Sequence, residues 1–245
     1  MISLRHGKTL AAAALLYCGS VNADPRPAVI ELFTSEGCNS CPPAEAYIGE
    51  LGGRPDVVAL SYHVDYWDDL GWRDRFALRD SVARQNMYAR ALGRSSIYTP
   101  ELVVDGRRDY VGSDRARIER ALNEKRTGPR VEIDASAAEI QVTLGGPEQV
   151  TPAEVLLVTY LREAVSAIGR GENAGRTLHE FNIVRGVRVL GHWDGKSTSF
   201  HVARSALPAD ATNVAAIGVK NGAATGKNIE AGKSGEKIGR KNLPI

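Results

Sequence analysis

Ile30-Glu31-Leu32-Phe33-Thr34-Ser35-Glu36-Gly37-Cys38-Asn39-Ser40-Cys41-Pro42-Pro43 is the stretch that decides how this chain folds. It continues a short apolar run that starts at Ala28, and such a run reads as a buried strand. A Gly/Ser/Cys turn ends the run. Two prolines then stand where a helix begins; proline is tolerated in the first helical turn because the N–H it lacks would be unpaired there anyway. The pattern is helical from Pro42 to Leu51. Two thiols spaced by two residues gain their meaning from this strand-to-helix context. Cys38 is expected at the helix N-terminus, near unpaired N–H groups and the positive end of the dipole, which favour a thiolate. Cys41 is expected one turn in, within reach of the first thiol and able to resolve a mixed disulfide. An inert staple and a metal site stand beside the redox reading. A staple over so short a loop gains little, because disulfide stabilisation grows with the length of chain closed.

Outward from this stretch, strand and helix patterns alternate. Asp56 to His63 is rich in Val and Leu and reads as a second strand. After an aromatic loop, Asp74 to Leu92 reads as a long amphipathic helix, with Gly93 as its C-cap. Glu101 to Val104 is a third strand, Asp105-Gly106 a hairpin turn, and Arg108 to Val111 a fourth strand. Ser113 is expected to cap a last helix, Asp114 to Glu124. The order β-α-β-α-β-β-α implies a mixed sheet.

The character changes near Thr127-Gly128-Pro129. From there the pattern is all strand: Val131–Ala135, Glu139–Leu144, Glu154–Arg162, Phe181–Leu190, Thr198–Ala203, Asn213–Val219 and Asn228–Ala231. Short strands separated by Gly, Pro, Asn and Asp turns suggest a small antiparallel sandwich. The tail after Asn221 is rich in Gly, Lys and Ala.

The first 23 residues read as a signal peptide. Arg5, His6 and Lys8 make a basic start, Thr9 to Tyr17 is a short apolar run, and Val21-Asn22-Ala23 offers small residues for cleavage. The run is shorter than the roughly 20 residues a spanning helix needs. Lipidation at Cys18 is disfavoured by the bulky Tyr17 before it. Cleavage after Ala23 removes Arg5 and Lys8, so the remaining basic residues balance the 29 acidic ones. A balanced chain gives no electrostatic case for nucleic acid or an anionic membrane. Cleavage also removes Cys18 and leaves Cys38 and Cys41 alone. In an exported protein, periplasmic or secreted, such a pair is expected to be a resting disulfide, a redox couple, or both.

The opening stretch resembles the start of a thioredoxin- or glutaredoxin-type domain, and Tyr98-Thr99-Pro100 resembles the cis-proline element of that fold. Glu31-Leu-Phe-Thr-Ser35 with the Cys-x-x-Cys-Pro-Pro motif, Ser61-Tyr-His-Val-Asp-Tyr-Trp67, Val103-Val-Asp-Gly106 and Gly169-Arg-Gly-Glu-Asn-Ala-Gly-Arg-Thr177 together resemble DUF1223, a bacterial thioredoxin-like group of unknown function. The resemblance implies an α/β thioredoxin-like domain over residues 24–127, followed by an all-β antiparallel sandwich-like domain over 128–245. It also implies that Pro100 shapes a groove in which the Thr99 backbone meets an extended partner; an edge-strand trans proline is the alternative. The chain departs from ordinary thioredoxins at Gly37, where Trp is usual, and at Asn39-Ser40 between the cysteines.

Other residues suggest supporting roles. Glu31, in a central strand, is expected either to shuttle protons to the dithiol or to pair with a base. His63 and Asp65 follow the second strand, at the sheet end where ligands gather. His63 is expected to hold or take a proton, with Tyr66, Trp67 and Trp72 as an apolar wall; a satisfied histidine among packing aromatics is the alternative. Two thiolates with His179, His192 or His201 make a copper or zinc site conceivable, though no second ligand pair has metal spacing. The loop Gly169–Gly175 lacks dinucleotide spacing. It is expected to pack against the first domain, with Arg170, Glu172 and Arg176 facing the cleft. No cofactor motif is present. The reading is thiol–disulfide exchange on exported proteins or small thiols, with Cys38, Cys41, Thr99, Pro100, Glu31 and His63 carrying it. The competing class is a binding module with a fixed disulfide.

Overall fold

The computed structural model describes residues 26–145, 152–219 and 229–233. The expected signal peptide, with Cys18, lies outside the described residues. Strand β1 (Ala28–Thr34) leads into α1 (Pro42–Leu51), then β2 (Val57–His63), α2 (Arg79–Ala91), the hairpin β3 (Glu101–Val104) and β4 (Arg108–Val111), and α3 (Arg115–Leu122). β1 lies parallel to β2 and antiparallel to β3. Every residue of β1 and β2 is buried, as expected of strands covered on both faces. Ile30 and Leu32 face α1 and α3, packing with Ile48 and Ile118. Val29 and Phe33 face the other way, against Tyr62, Val64 and Tyr88 of α2. Asp105 and Gly106 both adopt positive φ, 51° and 63°, as the tight hairpin demands.

Two helix starts differ from expectation. α2 begins at Arg79, not Asp74. The Asp74 carboxylate accepts the Phe76 N–H at 2.8 Å and the Glu36 N–H at 2.8 Å, so residues 74–78 follow a side-chain-held turn. α3 is capped by Asp114, whose side chain accepts the Arg117 N–H, and not by Ser113.

The C-terminal strands are β5 (Arg130–Ala135), β6 (Glu139–Gly145), β7 (Ala153–Ala167), β8 (Thr177–Trp193), β9 (Thr198–Ala203), β10 (Asn213–Val219) and β11 (Ile229–Lys233). β7 and β8 are longer than their apolar cores suggested. They form an antiparallel ribbon with irregularities at Val155/Leu156 and Thr159/Tyr160. β8 then pairs in parallel with β2 through Ser61 and Ile183. One eight-stranded sheet results, in the order β11-β10-β7-β8-β2-β1-β3-β4. A three-stranded sheet, β5-β6-β9, covers one face of the ribbon. Ile140, Val142 and Leu144 meet Val155, Leu157 and Trp193 there. The fold is therefore mixed α/β, and its C-terminal strands extend the sheet of the N-terminal part. α1 also lies on β8: a Cβ on Gly49 would come within 2.8 Å of the Phe181 ring, so only glycine permits this approach.

Candidate functional site

Cys38 and Cys41 form a disulfide with Cα atoms 5.5 Å apart. Cys38 lies in a tight turn, its N–H on the Ser35 carbonyl, and the Cys41 N–H returns to the Cys38 carbonyl. The helix N-cap is Cys41, so Cys38 stands one turn before α1 and not at its N-terminus. Pro42 and Pro43 contribute no N–H. The first two helical donors, Ala44 and Glu45, are both spent on the Cys41 carbonyl. The expected ring of unpaired donors around a Cys38 thiolate is thus absent from α1, although the dipole remains.

The surroundings close over the disulfide. A Cβ on Gly37 would lie 2.9 Å from Trp67 Cβ, so glycine is needed where a bulkier residue would collide with that side chain. Trp67 in turn donates its indole N–H to Thr99 Oγ1 at 2.9 Å. The Thr99–Pro100 peptide is cis. Pro100 is packed near α1 through Gly112, whose added Cβ would touch Ala44 Cβ at 2.8 Å and Pro100 Cβ at 3.1 Å.

From the other side comes the β7–β8 loop. Asn173, buried to 1% exposure, donates its amide to the carbonyls of Glu36 at 2.9 Å and Cys38 at 3.0 Å. Glu172 Oε2 accepts the Asn39 N–H at 3.2 Å. Arg176 donates to Asn173 Oδ1 at 3.0 Å. Gly171, at φ 75°, rests on Trp72, and the Trp72 indole donates to Glu36 Oε2 at 2.6 Å. Arg170 is exposed. The glycine-rich loop was legible as a packing loop; its anchor, Asn173, carried no signal beyond membership of that loop. Beneath it Cys38 is 0% and Cys41 1% exposed.

Behind the disulfide sits a buried polar cluster. His63 Nδ1 lies 2.7 Å from Asp74 Oδ2 and its Nε2 lies 3.8 Å from Glu45 Oε1. Burial opposes the imidazolium, but the Asp74 and Glu45 carboxylates outweigh it and push His63 up to about 10. Burial also opposes ionisation of Asp74, yet His63 and two backbone N–H groups hold it below the usual aspartate value. Glu45 is pushed up, chiefly by burial. Glu180, on β8, is pushed up to about 8, again chiefly by burial.

Glu31 is not part of this cluster. Arg84 grips it bidentately, at 2.5 and 3.1 Å, and Tyr88 donates to it as well. No hydrogen bond among the described residues links it to the dithiol. Its charge is neutralised on the α2 face of the sheet, so the shuttle expectation gives way to the paired alternative. The aromatic loop divides similarly: Trp67 and Trp72 close the dithiol turn, whereas the Tyr66 hydroxyl donates to Gln85. His201 pairs with Glu139 at 3.2 Å in the three-stranded sheet. Among the described residues no group of three His, Cys, Asp or Glu is placed to hold a metal. A cavity of about 150 Å³ opens between α1 and β8, with Cys41, Glu45 and Glu180 among its lining.

Residues 29–220 match the family described as protein of unknown function DUF1223, and the chain belongs to that family. The fold is similar to protein AGR_C_4864 of Agrobacterium tumefaciens, with a TM-score of 0.75 and 28% identity over 91% of this chain and 100% of that one. It is also similar to HBP35 of Porphyromonas gingivalis, with a TM-score of 0.55 and 13% identity over 90% of this chain and 80% of that one, a likeness of fold alone. No curated protein matches the chain. No helix among the described residues is long and apolar enough to cross a membrane.

Proposed function

We propose that this chain is an exported, thioredoxin-like thiol–disulfide oxidoreductase, with residues 24–127 as the redox unit and 128–245 as an appended β domain. The observation that carries this reading is the disulfide at the β1–α1 junction, with Pro100 near the first turn of α1 and a buried titratable cluster around Glu45 behind it. A substrate thiolate attacks Cys38 Sγ, a mixed disulfide forms, and the Cys38–Cys41 bond breaks. Cys41 leaves as a thiolate and takes a proton from Glu45, which lies four residues further along the same helical face. A second substrate thiolate then attacks the substrate sulfur of the mixed disulfide and frees Cys38. Substrate is oxidised and the protein reduced; the reverse sequence reduces a substrate disulfide. Thr99 and Pro100 flank the attacking partner, and His63, paired with Asp74, replenishes the proton on Glu45. The β7–β8 loop must lift for a partner to reach Cys38.

A second reading is favoured by the burial of both cysteines under that loop: a fixed disulfide in a binding module. Disulfide exchange assays on an unfolded dithiol protein, together with the reduction potential, separate the two. The redox reading expects turnover that Cys38→Ser abolishes. Equal activity in Cys38→Ser, or a potential below about −300 mV, overturns it.

A further inference from the structure

The cavity between α1 and β8 has a polar floor and an open mouth. Exposed Ala46, Thr177 and His179 ring the mouth, while Glu45 and Glu180 lie deep, at 6% and 1% exposure. Glu180 Oε2 accepts the Ser166 hydroxyl at 2.7 Å, but its Oε1 has no hydrogen-bond partner. Glu45 Oε2 faces the Ser61 hydroxyl at 3.4 Å, and its Oε1, 3.8 Å from His63 Nε2, also lacks a hydrogen bond. The charged neighbours are largely committed elsewhere. His63 is matched by Asp74 at 2.7 Å. Glu36 receives the Trp72 N–H and lies 3.7 Å from Arg75. Two buried carboxylates are left in surplus, each with an acceptor unfilled. Buried polar atoms are nearly always satisfied, so such orphans point to an absent partner.

We propose that this cavity is a binding site for a small primary ammonium ion on a short alkyl stem. The –NH3+ group donates to Glu45 Oε1 and Glu180 Oε1, and the stem lies along Leu178 and Phe181. An ammonium offers three rotatable donors in a compact head, which suits two carboxylates lining one small cavity better than a planar guanidinium fork. A cavity of this size holds roughly six non-hydrogen atoms, since benzene fills one of about 150 Å³. The bound amine would lie beside Cys41, so an amine that also carries a thiol would present it to the disulfide. The site itself is built in the oxidised protein and does not require the disulfide to react.

Calorimetry on the full oxidised chain tests this with butylammonium, using butyrate and 1-butanol as controls. Saturable one-to-one binding of butylammonium is expected, with Kd of about 1 mM or tighter, and none of either control. Burial pushes both carboxylates up, Glu180 to about 8, so Glu180 carries a proton near neutral pH. Binding should therefore expel protons, and the apparent enthalpy should differ between buffers of low and high ionisation heat. Glu180→Gln should weaken binding at least tenfold and remove most of that buffer dependence. Thr177→Trp, an exposed change at the mouth, should block binding without touching the floor. Absence of saturable butylammonium binding, equal binding of 1-butanol, or undiminished binding in either variant overturns the proposal. None of these results depends on whether Cys38→Ser is active.

Discussion

The Asn173 side-chain amide donates to the Cys38 carbonyl at 3.0 Å, bridging residues 135 positions apart in the chain. It donates equally to Glu36, so one buried amide pins the turn that carries the disulfide. Truncating it leaves two carbonyls unpaired, each a penalty of about 1–3 kcal/mol where burial persists. Asn173→Ala is expected to lower stability by a few kcal/mol, at most the sum of those two losses. It should also expose the disulfide, raising its rate of reduction by dithiothreitol several-fold. Chemical denaturation and a thiol-release time course check both effects.

His63 and the acids around it set a pH signature. The folded His63 pKa is raised from 6.5 to about 10. Its contribution is thus fully present below 6.5 and is lost as pH rises through 10. Glu180, raised from 4.5 to about 8, acts in the same direction, contributing fully below 4.5 and losing that contribution as pH passes 8. Asp74, held below its usual 3.8, contributes above that value and loses it under acid. The melting temperature should therefore fall by several degrees between the near-neutral range and pH 10. Glu180→Gln should flatten that decline, and His63→Phe should flatten it further. Calorimetric scans across pH read this directly.

Glu31 and Arg84 form a buried ion pair at 0% and 10% side-chain exposure. Removing one partner strands the other charge in the core. Arg84→Met is expected to cost about 3–5 kcal/mol, and Glu31→Gln a comparable amount. The double replacement should recover part of the loss. Unfolding in urea, run as a double-mutant cycle, measures the coupling. If Arg84→Met is neutral, the pair is not a buried one.

Gly37 stands against Trp67 with no room for a methyl group. Gly37→Ala forces the indole outward and is expected to cost about 1–3 kcal/mol by overpacking. It should also strain the Trp67–Thr99 hydrogen bond. Tryptophan emission should shift to the red, and the unfolding midpoint should drop.

Much of the architecture was legible because it depends on local rules. The apolar run at β1, the prolines opening α1 and the Asp105-Gly106 turn each have a meaning that a few residues carry. Helix starts held by distant side chains were not legible, since Asp74 works through His63 and the Glu36 N–H. The extension of the sheet was hidden for a different reason. β2 opens on an apolar run, Val57 to Leu60, and is buried along its whole length, so nothing in it distinguishes a strand with one hydrogen-bonded neighbour from a strand with two. In the site, the cysteines, Thr99, Pro100 and His63 were visible as motifs. Glu45 and Glu180 were not, because a carboxylate on an amphipathic helix or a polar strand end looks solvated until another element covers it.

The parallel contact of β2 with β8 through Ser61 and Ile183 carries a consequence for dissection of the chain. A fragment ending near residue 127 would leave β2 as a bare sheet margin, seven buried residues long, with its peptide groups facing water. Such margins recruit other chains by strand addition. The N-terminal half, cut out alone, is thus expected to self-associate, and the β7–β8 ribbon acts in the intact protein as its built-in guard against that pairing.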